Sequence, residues 1–209
     1  MSLRHNDNKA YFGDIPWCSR LLAMPDQHVL IPPSRTPKTR TGEDSLFAET
    51  LQTDRAIAAA LAFYPRTQSP TEPVLSLSIL LAIGGGMDGW PSVLHGGIVA
   101  TLMDEMMGTL LVINAKRTRS RSIATGRDAE AAADVIGAHT AQLNVRYLAP
   151  VKTPGVVLVT CKITSWEGRK IKMKATVMQK GGLLEGLETD MVECSNAEAL
   201  FIVPRGPQL

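Results

Sequence analysis

The apolar positions change their rhythm along the chain, and each rhythm predicts an element. Behind Thr41 and Asp44, which can cap a helix, Phe47, Leu51, Ala58 and Leu61 follow helical spacing, so a helix reaching about Tyr64 with one buried stripe is expected. From Val74 the rhythm becomes that of a strand: Leu75, Leu77, Ile79, Leu81 and Ile83 alternate with Ser76, Ser78, Leu80 and Ala82. A glycine-rich loop over 84–91 follows. His95-Gly96-Gly97 then opens an apolar run over 98–113 that holds no proline, which predicts one central helix buried nearly all round.

Residues 115–138 form a polar insertion, rich first in arginine and then in alanine. Strands are expected behind it over about 139–149, 155–167, 169–180 and 195–203, with Leu143, Val145, Tyr147 and Ala149 alternating in the first of them. Gly168 suits a tight hairpin, and Gly181-Gly182 a break before the last strand. A strand, a buried helix and then an antiparallel meander imply an α+β fold in which a curved sheet wraps one helix, and disfavour a parallel βαβ architecture. The prolines at 65, 70 and 73 divide the chain into an N-terminal helical extension, 1–73, and a main domain, 74–209.

Composition narrows the function classes. The 22 basic residues against 20 acidic ones leave a net charge of +2, which argues against a dedicated nucleic-acid binder. Cys18, Cys161 and Cys194 are odd in number and far apart, so neither a disulfide framework nor a CxxC metal site is expected. Asp104 and Glu105 interrupt the apolar run, so no membrane span is expected, and the polar N-terminus lacks the order of a secretory signal. The expected location is cytoplasmic, with mitochondrial import as the alternative.

The run His95-Gly96-Gly97-Ile98-Val99-Ala100-Thr101-Leu102-Met103-Asp104 resembles the HGG…D signature of hotdog-fold acyl-CoA thioesterases of the phenylacetate-degradation type. The stretch from Thr140 to Val151, which ends in Pro150-Val151, resembles that family's next strand, so the likeness covers about 74–204. The resemblance implies a hotdog fold and hydrolysis of an acyl-CoA thioester. It also implies Asp104 as general base or nucleophile, the Gly96 and Gly97 backbone as oxyanion hole, and Thr140 as a holder of the attacking water. Coenzyme A enters as part of the substrate, with no separate cofactor and no metal. The implied assembly is a homodimer or tetramer in which the acid of one subunit faces the HGG turn of another.

Physical chemistry supports part of this independently. Glycines at a helix start let a substrate approach the backbone, and the free N–H groups there suit a developing oxyanion. Asp104 lies seven residues beyond Gly97, about 10 Å along the helix axis, so it cannot easily serve its own glycine. Glu105 is rotated about 100° from Asp104 and points elsewhere. His95 is a helix cap or an acid–base group, and capping is the commoner role. The family's second carbonyl contact, an Asn or Gln ahead of HGG, has no counterpart in 86–92, where Trp90 either lines the acyl pocket or packs under the loop. Arg117 and Arg119 in the insertion, or Lys170 and Lys172 on a strand, could hold the phosphates of coenzyme A, against ordinary solvated positions. Two other functions stay open: a non-hydrolytic acyl-binding scaffold, and a thioesterase acting on acyl or polyketide chains bound to a carrier protein.

Overall fold

The computed structural model describes residues 5–69, 72–125, 137–181, 183–184, 187–188 and 190–205. In chain order the elements are α1 (His5–Gly13), α2 (Pro16–Leu22), β1 (Gln27–Leu30), β2 (Ile57–Pro65), β3 (Ser76–Ile83), the small strands β4 (Asp88–Trp90) and β5 (Val93–Leu94), and α3 (Gly96–Thr125). They continue with β6 (His139–Tyr147), β7 (Gly155–Glu167), β8 (Lys170–Lys180), the short β9 (Leu183–Leu184) and β10 (Leu187–Glu188), and β11 (Met191–Ile202). Seven strands build one antiparallel sheet in the order β1-β2-β3-β7-β8-β11-β6, and α3 lies across one face of it. A curved antiparallel sheet wrapped round a long helix is the hotdog fold, here with N-terminal helices α1 and α2 added.

The helix expected over 44–64 is replaced by a short π-type turn at Leu46–Thr50 and the strand β2. Alanines favour a helix by intrinsic propensity, but here tertiary covering overrides it. Ile57, Ala60, Ala62 and Tyr64 pack toward α3, whereas Ala59, Leu61 and Phe63 pack under α1 and α2. A bulge between Ile57 and Ala59 puts those two apolar sets in phase with their faces. A strand covered on both faces shows a continuous apolar run without alternation, which is why its period misleads. Asn8 of α1 accepts the Ala60 N–H at 2.9 Å and ties the two layers together.

In α3, Val99, Leu102, Met103, Met106, Met107 and Leu110 are buried against the sheet. Ala100, Thr101, Asp104, Gly108 and Val112 are only half-buried, so burial is one-sided rather than nearly complete. By length and composition Gly96–Thr118 would suffice to cross a membrane despite Asp104 and Glu105, yet half of its most apolar window is buried inside the protein. The helix also continues to Thr125, so the first part of the 115–138 insertion is helical; the rest, 126–136, lies outside the described residues. The expected break at Gly182 lies outside them too. Strand positions behind the insertion hold closely, and Gly168, at φ +56°, makes the β7–β8 turn. The last strand begins earlier than expected, at Met191, and is bulged against both neighbours.

Candidate active site

The turn ahead of α3 is fixed by backbone contacts before any candidate side chain is placed. Gly84 and Gly86 lie against the Asp54–Arg55 backbone so closely that a Cβ at either would sit 2.5 Å from a carbonyl oxygen, and Gly86 N–H donates to Arg55 O at 2.6 Å. Farther on, His95 N–H donates to Met87 O at 3.0 Å and Leu94 N–H to Val151 O at 2.9 Å. Thr153 donates its hydroxyl to Asp88 at 2.5 Å, so the segment after β6 holds the segment before α3.

His95 then folds back over the helix start. Its Nδ1 accepts the Gly97 N–H at 3.0 Å, the geometry of an N-cap. An accepting Nδ1 places the neutral ring's proton on Nε2, in a side chain that is exposed. The expectation that both glycine N–H groups are available is therefore corrected: Gly97 N–H is taken by the imidazole. Gly96 N–H has no partner among the described residues. The carbonyl of Gly96 accepts the Tyr147 hydroxyl at 2.9 Å, so the Gly96–Gly97 peptide is held at both its oxygen and its hydrogen. Sequence reasoning missed this role of Tyr147, which counted only as an alternating strand residue although it is 54% exposed. A cavity of 310 Å³ opens beside this turn, lined by Gly96, Val99, Tyr147, Leu148 and Pro150 among others.

Asp104 and Thr140 are brought together within one chain. The Thr140 hydroxyl donates to Asp104 Oδ1 at 2.7 Å, which fixes the carboxylate rotamer and leaves the threonine oxygen free to accept from a water. Glu105 points away, as its rotation about the helix requires: it accepts from Thr109 at 3.2 Å and shares a hydrogen bond with Ser34. Burial pushes the Glu105 carboxyl above the usual carboxylate range, against the opposing pull of the Ser34 bond.

The remaining expected contacts are scattered. Trp90 is 79% exposed and does not line the cavity beside the HGG turn. Arg117 is occupied structurally, donating to Glu72 O at 2.9 Å, to Ser69 O at 3.0 Å and to the Thr67 hydroxyl, so it fastens Thr67, Ser69 and Glu72 to α3. The Arg119 side chain lies outside the described residues. Lys170 and Lys172 do share one exposed sheet face, alternating with buried Ile171 and Met173 that face α3. That face is turned away from Asp104 of the same chain, so the two groups are not brought together. Among the described residues no three His, Cys, Asp or Glu side chains converge as metal ligands.

The fold defines a hotdog domain, and α3 carries a helix start with an unengaged N–H and, about 10 Å further along, an Asp paired with a Thr. The model of the thioesterase superfamily matches residues 92–185, which span α3 and β6 to β8. A curated relative, verlamelin biosynthesis protein B from a Lecanicillium species, is 26% identical over 180 aligned residues, covering 75% of this chain and 74% of its own length. Among solved structures, a hypothetical thioesterase from Streptococcus pneumoniae with coenzyme A is 14% identical with a TM-score of 0.43, covering 62% of this chain and 81% of its own. A Streptococcus mutans protein bound to acetyl CoA is 16% identical with a TM-score of 0.43, again over 62% of this chain and 81% of its own.

Proposed function

We propose that the chain is an acyl-thioester hydrolase, acting on acyl-CoA to release a carboxylate and free coenzyme A. The Thr140–Asp104 hydrogen bond carries the reading, because an exposed threonine spent on orienting a carboxylate has no evident structural purpose. The thioesterase superfamily match over the same region supports it. In this reading the thioester carbonyl oxygen accepts the Gly96 N–H and the His95 Nε2–H. One well-placed donor at a developing oxyanion is worth about 3 kcal/mol. Asp104 then either takes a proton from water as it attacks the carbonyl carbon, or attacks that carbon itself to form a mixed anhydride that water cleaves. In both routes the carbon–sulfur bond breaks, the thiolate leaves to be protonated, and one water is consumed.

The reading includes a dimer. Asp104 lies about 10 Å along α3 from the HGG turn of its own chain, so an antiparallel partner helix would bring the two halves together. The edge strand β6 is exposed along most of its length, and a Cβ at Gly108 on α3 would meet nothing within 4 Å, so both surfaces are open to a second copy. A panel of acyl-CoA thioesters assayed for free thiol tests the activity, with competition by coenzyme A separating CoA substrates from carrier-bound ones. Absence of thiol release across the panel would leave the acyl-binding scaffold as the better reading.

A further inference from the structure

Two hydrogen bonds converge on one peptide at the start of α3. The Tyr147 hydroxyl donates to the Gly96 carbonyl at 2.9 Å, and the N–H at the other end of that peptide, on Gly97, donates to His95 Nδ1 at 3.0 Å. The tyrosine bond is surplus to the fold. As the first residue of α3, Gly96 has a carbonyl that the helical ladder already supplies, and water can meet its second lone pair. A phenylalanine would pack the same ring beside Gly96, where a Cβ would lie 3.5 Å from the ring. The strand end that carries Tyr147 is nevertheless pinned, since Leu148 N–H and Ala149 N–H donate to Cys194 O at 2.9 and 3.0 Å.

Resting on the hydrolase reading above, we propose that Tyr147 is a positioning residue for the reaction, acting through the Gly96–Gly97 peptide to hold the His95 imidazole as a donor at Nε2. A donor on a peptide oxygen draws electron density from the peptide nitrogen and strengthens its N–H as a donor. The Gly97 N–H then keeps Nδ1 an acceptor, and an imidazole whose Nδ1 accepts carries its proton on Nε2. Density drawn through the ring strengthens that Nε2–H in turn. No proton changes atoms and no group changes charge. The neighbouring groups are fixed in the same way: the His95 carbonyl accepts the N–H groups of Ile98 at 2.9 Å and Val99 at 3.2 Å, and the Gly97 carbonyl accepts the Thr101 hydroxyl at 2.8 Å. The two donors that the proposed reaction uses, Gly96 N–H and His95 Nε2–H, are therefore held on a turn whose other polar groups are engaged.

The test uses Tyr147→Phe in the full chain, alone and combined with His95→Ser, on the acyl-CoA thioester that the unaltered chain cleaves fastest. Serine still caps the Gly97 N–H but carries no imidazole. Tyr147→Phe is expected to lower kcat about fivefold with KM within about twofold, and this loss should vanish in the His95→Ser background, because the two residues act in series. A tyrosine that only walled the neighbouring cavity would raise KM and cost the same in both backgrounds. Nitrogen NMR spectra of the His95 ring give a readout independent of turnover. They should show a bare Nδ1 and a protonated Nε2 in the unaltered chain, and a mixture of tautomers or a displaced Nδ1 signal in Tyr147→Phe. A protonated Nδ1 in the unaltered chain, ring signals that Tyr147→Phe leaves in place, or an equal kcat loss in both backgrounds would each overturn the proposal. The first of these needs no variant, so a folding failure of Tyr147→Phe does not shelter it. If no thioester is cleaved, the hydrolase reading fails separately, and the ring spectra still decide whether Tyr147 sets His95.

Discussion

At Asp104 and Thr140 single substitutions can separate the proposed chemistry from packing. Asp104→Asn changes charge at nearly constant volume on a half-buried helix position, so turnover should fall by 100-fold or more, about the span typical of a positioned acid or base, while Tm stays within a few degrees. Steady-state assay beside thermal melting checks it, and near-normal hydrolysis would remove Asp104 from the chemistry. Thr140→Val should cost about tenfold in kcat with the same melting behaviour, since it deletes one exposed hydrogen bond to the carboxylate. Glu105 behaves differently because its folded carboxyl titrates above the usual range. The folded state holds that proton more tightly than the unfolded chain does, so this contribution to stability is full below the unfolded value and is lost as pH rises through the raised one. Glu105→Gln should therefore gain on the unaltered protein as pH rises from the ordinary carboxylate range toward neutrality, in urea titrations at each pH. A constant difference across that range would mean that the carboxyl titrates normally in the fold.

Among the elements, α3 and the meander behind it were legible because their periods are simple. α3 has a long apolar run behind two glycines, and β7 and β8 alternate cleanly between an inner face and an outer face that carries Lys170, Lys172 and Lys174. β2 was not legible: its two faces are both covered, so Ala58 and Leu61 mimic a helical stripe while Leu61 and Phe47 in fact belong to opposite layers. The candidate site was read from a motif, at His95, Gly96, Gly97 and Asp104. Contacts made by residues distant in sequence, such as Tyr147 on the Gly96 carbonyl and Ser34 on Glu105, left no local pattern to read. Asn114 belongs with these. Buried in α3, it accepts the Val74 N–H at 2.8 Å and donates to the carbonyls of Val74 at 2.8 Å and Leu110 at 3.1 Å, which docks the start of the β3 segment. Asn114→Leu should cost about 2–3 kcal/mol by leaving the Val74 backbone groups buried and unpaired. Chemical denaturation measures this, and a loss under about 0.5 kcal/mol would mean that water or a shifted backbone replaces those bonds.

On the scale of the whole molecule, the separation of Asp104 from the HGG turn along α3 turns an assembly question into a rate measurement. If each site joins Gly96 of one subunit to Asp104 of another, a chain carrying Asp104→Asn and a chain carrying Gly96→Val should each be inactive alone. A Cβ at Gly96 would meet the Tyr147 ring at 3.5 Å, an ordinary contact, so the larger Val side chain should obstruct the thioester approach before it disturbs the fold. Mixed under exchange conditions in equal amounts, the two chains should form heterodimers with one doubly altered site and one unaltered site. Random pairing makes about half of the dimers heterodimers, and half of their sites work, so about a quarter of the original activity should return. The recovery should follow the rate of subunit exchange and vanish when exchange is blocked by cross-linking the parents first. If heterodimers verified by mass show no recovered activity, each subunit builds its site alone, and Asp104 must reach a thioester bound somewhere other than its neighbour's helix start.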